Sequence, residues 1–319
     1  MSGILLFFVG VLTLAGIYAI LAMILNLEAG WAGMWDLGIA GLLAVGGYTF
    51  IITTQSTHTD VIFAPQLPMW LGVVLGAGAG GLAALLIGLP SLRVRGEYFL
   101  ITTLAFAEVI RQLAINLGDI TRGTVGFNQF ERPFQSMFPG AAYRWFLLAL
   151  TWAAAGLVYL VMRRLARAPF GRLLRGFRDN DAVALSLGKH TNRHRIRTFV
   201  FAGILYGAVA PLYLWFLRSV TPSLFSSEVT FVAWTALVIG GIASRSGPIV
   251  GAVILLLVTE AAALVQGSGE ATVLLASVRY IVLGLVLIVV MRFRPEGLKT
   301  EAASFAGAST RLDDTRRPP

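Results

Sequence analysis

Charged residues are scarce in this sequence, and cysteine is absent. Only 13% of the 319 residues are Asp, Glu, Lys or Arg, whereas 57% are hydrophobic. A soluble domain carries about a quarter charged residues, so the composition excludes an ordinary soluble protein. Apolar runs of about 20 residues recur along the chain, long enough to cross the ~30 Å hydrocarbon core of a bilayer. The sequence predicts an all-α, polytopic transmembrane helical bundle.

Several kinds of chemistry are excluded by what is missing. Without cysteine the chain has neither a disulfide framework nor a thiolate metal site. His190 and His194 are four residues apart, but Thr191 stands where a zinc protease has glutamate directly after its first histidine. No GxxxxGK[ST] phosphate loop and no hydrophilic segment of catalytic-domain size is present. We therefore expect no catalytic residue, no metal and no cofactor in this chain, which is not expected to be an enzyme.

Apolar runs between polar breaks predict about nine membrane spans. They form a transmembrane domain over residues 1–294, and the tail 295–319, rich in Ala, Ser, Arg and Asp, is expected to be disordered and cytoplasmic. The predicted spans are about 4–25, 37–54, 69–89, 98–116, 145–162, 198–217, 229–243, 248–265 and 272–291.

The net charge of +9 lies in the connections between spans and gives the orientation. Residues 163–197 hold ten of the 25 Lys and Arg residues, and the segment from Arg292 onward holds six. Cytoplasmic loops are enriched in these residues, so both segments are expected to be cytoplasmic, with no nucleic acid as partner. The parity of the spans then places residues 118–143 and the N-terminus outside.

Polar residues and small residues within the spans are candidates for packing or function. Gly72, Gly76 and Gly80 share one helical face, which favours close helix packing, either within the chain or against a second subunit. Charged side chains in spans are costly, so Glu108 with Arg111, and Glu260 with Arg279, are expected to pair or to contact substrate. Asp36 lies among glycines that can break a helix at membrane depth.

One polar, basic segment interrupts the apolar sequence, "GFRDNDAVALSLGKHTNRHRIR" at residues 176–197. Its composition predicts a short helix with Asp179 as N-cap, Asp181 in the first turn, and Gly188 closing the C-terminus in the left-handed conformation. Such a short helix is stable when it docks on a partner, although a helix lying on the lipid surface is the alternative.

The same segment resembles the cytoplasmic loop of ABC importer permeases of the branched-chain amino acid type. "LNLEAGWAGMWDLGIAGLLAVGGY" (25–48) is similar to the M-type permease subunit, and "LRVRGEYFLITTLAFAEVIR" (92–111) is the most specific match. "IGGIASRSGPIVGAV" (239–253) also resembles a late motif of the family. The resemblance extends over about residues 10–295.

The resemblance implies a role for each of two residue sets. The short helix would be the coupling helix that enters a cleft of an ATPase subunit, and its residues are Arg178, Asp179, Asp181, Ala184, Leu187 and Gly188. A polar substrate needs hydrogen-bonding groups along an apolar path, for which the candidates are Asn26, Asp36, Gly38, Thr102, Thr103 and Glu108.

The resemblance also implies the partners and the location. They are a second, homologous H-type permease subunit, two ABC ATPase subunits that bind ATP and Mg²⁺, and an extracytoplasmic substrate-binding protein, all at the lipid bilayer of a bacterial inner membrane. The expected substrates are branched-chain or other neutral amino acids. Urea, short amides and aromatic acids are alternatives within the family. An ion-coupled secondary transporter using Asp36, Glu108 and Glu260 is the alternative outside it.

Overall fold

The computed structural model describes residues 3–55, 65–91, 97–128 and 130–263, together with positions 284, 285, 288, 292 and 297–299. Within them, a short antiparallel pair of strands, β1 (Phe127–Asn128) and β2 (Ser219–Val220), accompanies a set of α-helices. The helices are α1 (Gly3–Leu25), α2 (Ile39–Thr54), α3 (Met69–Ser91), α4 (Glu97–Asn116), α5 (Gly118–Thr121), α6 (Ala141–Arg167), α7 (Pro169–Asp179), α8 (Asp181–Ser186), α9 (Thr191–Leu217), α10 (Ser227–Gly240) and α11 (Gly247–Ala263).

The long apolar helices confirm the predicted all-α membrane bundle. Among the described residues, six helical segments are long and apolar enough to cross a bilayer, and Ile39–Thr54 and Gly247–Glu260 are shorter apolar helices. These eight coincide with the first eight predicted spans. The ninth predicted span, 272–291, lies outside the described residues apart from isolated positions, as do Arg279 and most of the tail.

Glycines on α3 allow close helix contacts with α2 and α9. A Cβ added to Gly76 would lie 2.8 Å from the carbonyl oxygen of Gly46 on α2, and Gly80 packs against the carbonyl of Gly203 on α9. Because small residues let backbones approach where lipid gives no hydrophobic driving force, the α2–α3–α9 layer depends on them. The glycine face of α3 therefore packs within the chain, as the first of the two interpretations of the sequence predicted.

This packing predicts a large difference between two neighbouring glycines of α3. Gly80→Leu is expected to lower the free energy of unfolding by about 1–3 kcal/mol, because the new side chain would overpack the contact with α9. Gly78→Leu is the matched control, because no described residue outside the adjacent turns of α3 lies within 4 Å of a Cβ at Gly78. Thermal unfolding of both variants in detergent measures the difference, and equal midpoints would contradict the proposed packing role.

The basic segment 163–197 is more helical than its sequence predicts. It contains the end of α6, all of α7 and α8, and the first two turns of α9. Helix α7 begins with Pro169 at its first turn and buries Leu174 and Phe177, while its arginines are more exposed. An apolar run shows which part of a helix lies in the hydrocarbon core of the membrane. The helix itself continues beyond that part for as long as its residues favour helical structure.

The segments that connect the long helices lie near one end or the other of α9, and they mark the two ends of the bundle. α9 has 27 residues, a length of about 40 Å. Near its start lie α7, α8, the segment after α1, the turn 241–246 and residues 297–299. Leu298 and Lys299 donate backbone hydrogen bonds to Ile239 and Gly240 of α10 (2.9 and 3.0 Å). The strands β1 and β2 and the beginning of α6 lie at the opposite end.

Candidate functional site

A buried break in regular helix structure lies between α1 and α2. The chain passes from α1 into one π-helical turn, Asn26–Trp31, and then into non-helical backbone before α2 begins at Ile39. Gly33 adopts a left-handed conformation there (φ +66°), which glycine accepts without a steric penalty. Irregular backbone at membrane depth is tolerated where it is buried in protein or lines a cavity. The helix break that the glycines around Asp36 indicated is therefore present.

Asn26 fixes the π-helical turn to the connection between α10 and α11. Its side-chain amide donates to the carbonyl of Ser244 (2.8 Å), and its Oδ1 accepts from the backbone N–H of Ala243 (2.7 Å). Trp31 donates from Nε1 to the carbonyl of Ala243 (3.2 Å). Asn26 was predicted to line the substrate path, and its amide oxygen and nitrogen are already paired within the protein.

Asp36, Gly38 and Thr103 meet where α2 begins. The Oδ1 of Asp36 accepts from the Gly38 N–H (2.7 Å), while Thr103 Oγ1 accepts from the Leu37 N–H (3.0 Å). The carbonyl of Asp36 also accepts from Trp234 Nε1 (2.7 Å). Asp36 and Thr103 are fully buried, and Oδ2 of Asp36 has no hydrogen-bond partner within the part of the chain that the structure describes. This oxygen is therefore a buried acceptor that the protein leaves unpaired among the described residues.

Glu28 and Tyr206 form a second polar pair that the sequence analysis missed. The hydroxyl of Tyr206 donates to Glu28 Oε2 (3.0 Å), and both side chains are fully buried. The other oxygen, Oε1, has no partner among the described residues. A glutamate within an apolar run is itself a signal for function, and Glu28 carries it in "LNLEAGW". Nothing in the sequence singles out Tyr206.

Thr102 and Glu108 lie away from this break, on the outer face of α4. The hydroxyl of Thr102 donates to the carbonyl of Tyr98 in its own helix (2.7 Å). Glu108 is half exposed and forms the predicted ion pair with Arg111, and it also accepts from Gln112 (3.0 Å). The six predicted path residues therefore divide into four that meet at the helix break and two, Thr102 and Glu108, that lie on the outer face of α4.

The short helix α8 has the predicted C-terminal closure and a different N-cap. Asp179 was expected to be the N-cap, but it ends α7, and Asn180 caps α8 by accepting from the Val183 N–H (3.1 Å). Asn180 takes this role because its extended backbone separates the two helices. Gly188 is left-handed (φ +72°), as predicted, and the Lys189 N–H bonds the carbonyl of Ala184 (3.2 Å).

The apolar side chains of α8 face in different directions. Ala184 is buried against the protein. Leu187 is 71% exposed, and Val183 and Leu185 are also exposed, to a lesser degree. These side chains therefore do not form one apolar face, since only Ala184 turns inward. Asp181 is held by Arg195 of α9 (3.1 Å), which fixes α8 to the bundle. The exposed apolar residues leave a surface that a partner can cover.

Arg178 connects this segment with the helix break. Its Nη1 donates to the carbonyl of Gly30 in the π-helical turn, and its Nε donates to Asp179 (3.0 Å). The side chain of Arg178 also packs against the backbone at Gly33. A carbonyl at the end of an irregular helical turn lacks an intrahelical partner, and a guanidinium satisfies it well. Arg178 therefore links α7 to the break between α1 and α2.

These features define the class of protein. Buried carboxyl groups beside broken helices in an apolar bundle are typical of membrane transport proteins. Among the described residues, no group of three His, Cys, Asp or Glu side chains could hold a metal ion. The family model for the permease component of the branched-chain amino acid transport system matches residues 7–291, and the chain belongs to this family. It is a multi-pass component of an ABC transporter rather than an enzyme.

Proteins from bacteria and an archaeon are similar to this chain. The high-affinity branched-chain amino acid transport permease proteins LivM of Salmonella typhimurium and Escherichia coli are each 29% identical over 313 residues, covering 91% of this chain and 69% of theirs. A probable LivM of Methanocaldococcus jannaschii is 24% identical over 317 residues, covering 90% of this chain and 91% of its own. No solved structure matches the chain.

Proposed function

We propose that the chain is a membrane-spanning subunit of an ATP-driven importer of branched-chain amino acids. The permease family and the names of the similar LivM proteins support this substrate class. ATP hydrolysis would be supplied by two separate ATPase subunits, which bind ATP and Mg²⁺. A second, homologous H-type permease would complete the path, and an extracytoplasmic binding protein would deliver the substrate.

The contact between Arg178 and Gly30 is the observation that carries the mechanism. The exposed apolar residues of α8 would dock in a cleft of an ATPase subunit, with Gly188 allowing close approach while the inward-facing Ala184 packs α8 on the bundle. When the ATPase subunits close, the displacement of α8 would pass through α7 to Arg178 and then to the π-helical turn. The turn is bonded to residues 243–244 and, through Glu28, to α9, so three parts of the bundle would move together.

The helix break is the proposed position of the substrate path. Asp36, Gly38 and Thr103 offer polar atoms there, beside Asn26 and the additional residue Glu28. Thr102 and Glu108 stay candidates for a different reason. A half-exposed ion pair on a membrane-spanning helix is unfavourable against lipid. The outer face of α4 would therefore face the second permease subunit and the space between that subunit and this chain.

The proposed orientation gives a labelling prediction. Residues 118–143 and the N-terminus would be outside, and residues 163–197 and the tail 295–319 cytoplasmic. A cysteine at the exposed Thr124 is expected to react in intact cells with a membrane-impermeant maleimide, and one at the exposed Asn192 only after permeabilisation. The chain has no cysteine of its own, which gives a clean background. The reverse pattern would invert the topology.

Purification and reconstitution test the function directly. The chain is expected to be isolated from mild detergent together with a second permease and two ATPases. In liposomes this complex should import leucine, isoleucine or valine only with ATP inside and the binding protein outside. Competition by urea, short amides or aromatic acids distinguishes the other substrates of the family. Uptake by the isolated chain on an ion gradient without ATP would refute the proposal.

A further inference from the structure

A cavity of about 340 Å³ lies at the end of the bundle opposite α8, away from the helix break. It is an open cavity lined by the first half of α1, the beginning of α6 and the end of α9. Its apolar wall includes Phe7, Val11 and Leu147, and its polar side carries Arg132, Arg144 and Arg218. The transport mechanism above uses none of these residues. The cavity thus combines an apolar wall with a cluster of guanidinium groups.

The charges in the cavity favour an anion. Three arginines line it together with one carboxylate, Glu260. Burial, followed by the positive charge of Arg218, lowers the pKa of the Arg132 guanidinium. Arg144 lies in the first turn of α6, where the positive end of the helix dipole adds to its charge and where Gly140 gives no side-chain cap. An anion bound between these groups would relieve their mutual repulsion.

Two buried hydrogen-bond donors in the cavity wall also lack partners. The hydroxyl of Tyr143 and the Nε1–H of Trp215 have no hydrogen bond within the described part of the chain, although the two residues are only 2% and 7% exposed. An indole N–H can only donate, so it needs an acceptor. Buried donors without partners are unfavourable. Both residues line the cavity, and an oxyanion bound there would supply an acceptor once either ring rotates toward it.

We propose that this cavity binds the phosphate diester of an anionic phospholipid. Arginine forks match phosphate oxygens well, and Tyr143 and Trp215 would donate further hydrogen bonds. The apolar wall formed by α1 continues into the exposed side chains of Ile4 and Phe8. An acyl chain can follow this surface into the bilayer, which a soluble anion cannot do. In the proposed orientation, the lipid belongs to the outer leaflet of the membrane.

Native mass spectrometry of the purified complex in mild detergent tests this site. Phosphatidylglycerol and phosphatidylethanolamine are added at equal concentrations, and inorganic phosphate is added separately. The wild-type complex is expected to retain phosphatidylglycerol preferentially. The double variant Arg132→Gln/Arg218→Gln is expected to lower this retention about tenfold or more, since it removes two charge-assisted contacts. Arg122→Gln removes a charge at the same end outside the cavity and should leave retention unchanged.

A second variant keeps the test valid if the double variant is unstable. Tyr143→Phe retains the ring and removes only the hydroxyl, so it should lower lipid retention about threefold to tenfold without unfolding the chain. Equal retention of both lipids, or unchanged retention in the arginine and tyrosine variants, would overturn the proposal. Retention of inorganic phosphate without phosphatidylglycerol would also overturn it, because the site would then serve a free anion.

Discussion

Replacement of Gly188 by leucine is expected to reduce ATP-driven uptake at least about tenfold while the chain remains in the membrane. Gly188 has φ +72°, and a residue with a Cβ in this conformation is destabilised by about 1–2 kcal/mol. Among the described residues, and apart from the two chain neighbours, no atom lies within 4 Å of a Cβ at this position. Steric conflict beyond the backbone strain must therefore come from a partner that covers α8. Uptake of labelled leucine by proteoliposomes measures the effect.

Gly188→Asn is the matched control. Asparagine tolerates the left-handed conformation, and its side chain is small enough to enter a partner cleft that would exclude leucine. It should retain most uptake. Both variants should reach the membrane in amounts like wild type, since α8 ends at the protein surface. Normal uptake by Gly188→Leu would remove the basis for docking at α8. Equal losses in both variants would mean that the backbone alone is responsible.

Arg178→Ala is expected to uncouple ATP hydrolysis from transport. The substitution removes the hydrogen bond to Gly30 and the packing on Gly33, contacts that join α7 to the helix break. A hydrogen bond to a charged group contributes about 1.5–3 kcal/mol, so the linked movement would be weakened substantially. Uptake should fall about tenfold or more, and ATPase activity of the assembled complex should persist. The ratio of transported substrate to hydrolysed ATP is the quantity to measure.

Arg172→Ala is the control for this prediction, since it removes an exposed arginine from the same helix. It should leave the transport ratio unchanged. Arg178→Lys should restore uptake in part, because lysine keeps the charge but not the planar fork. A parallel loss of uptake and ATPase activity in Arg178→Ala would indicate failure of assembly rather than of coupling. An unchanged ratio would contradict the linking role.

The sequence allowed several local features to be predicted correctly. The glycines of α3 indicated close packing, because their spacing of four residues puts them on one helical face. The pair Glu108–Arg111 followed from a spacing of three residues within one helix. Gly188 at the end of a short capped segment indicated the left-handed closure of α8. Each of these predictions depends on residues close together in the chain, where helix geometry alone relates them.

The N-cap of α8 was predicted wrongly, and α7 was not predicted. Asp179 and Asn180 are both good N-cap residues, and the choice between them depended on where α7 ends. α7 exists because Leu174 and Phe177 are buried by packing on other parts of the bundle. A short stretch of sequence shows the amphipathic pattern of α7, but it does not show the surface that buries the apolar face of this helix.

The sequence by itself determined that the chain is an α-helical membrane bundle. The bilayer thickness sets the length of the apolar runs, and in lipid a helix satisfies the backbone hydrogen-bonding groups of such a run within the run itself. Only the tertiary structure decided which polar groups meet. Arg178 and Gly30 are 148 residues apart, and Glu28 and Tyr206 are 178 residues apart. The donors and guanidinium groups of the anion cavity likewise come from separate segments. Such pairs are fixed by helix packing, which no local pattern of residues encodes.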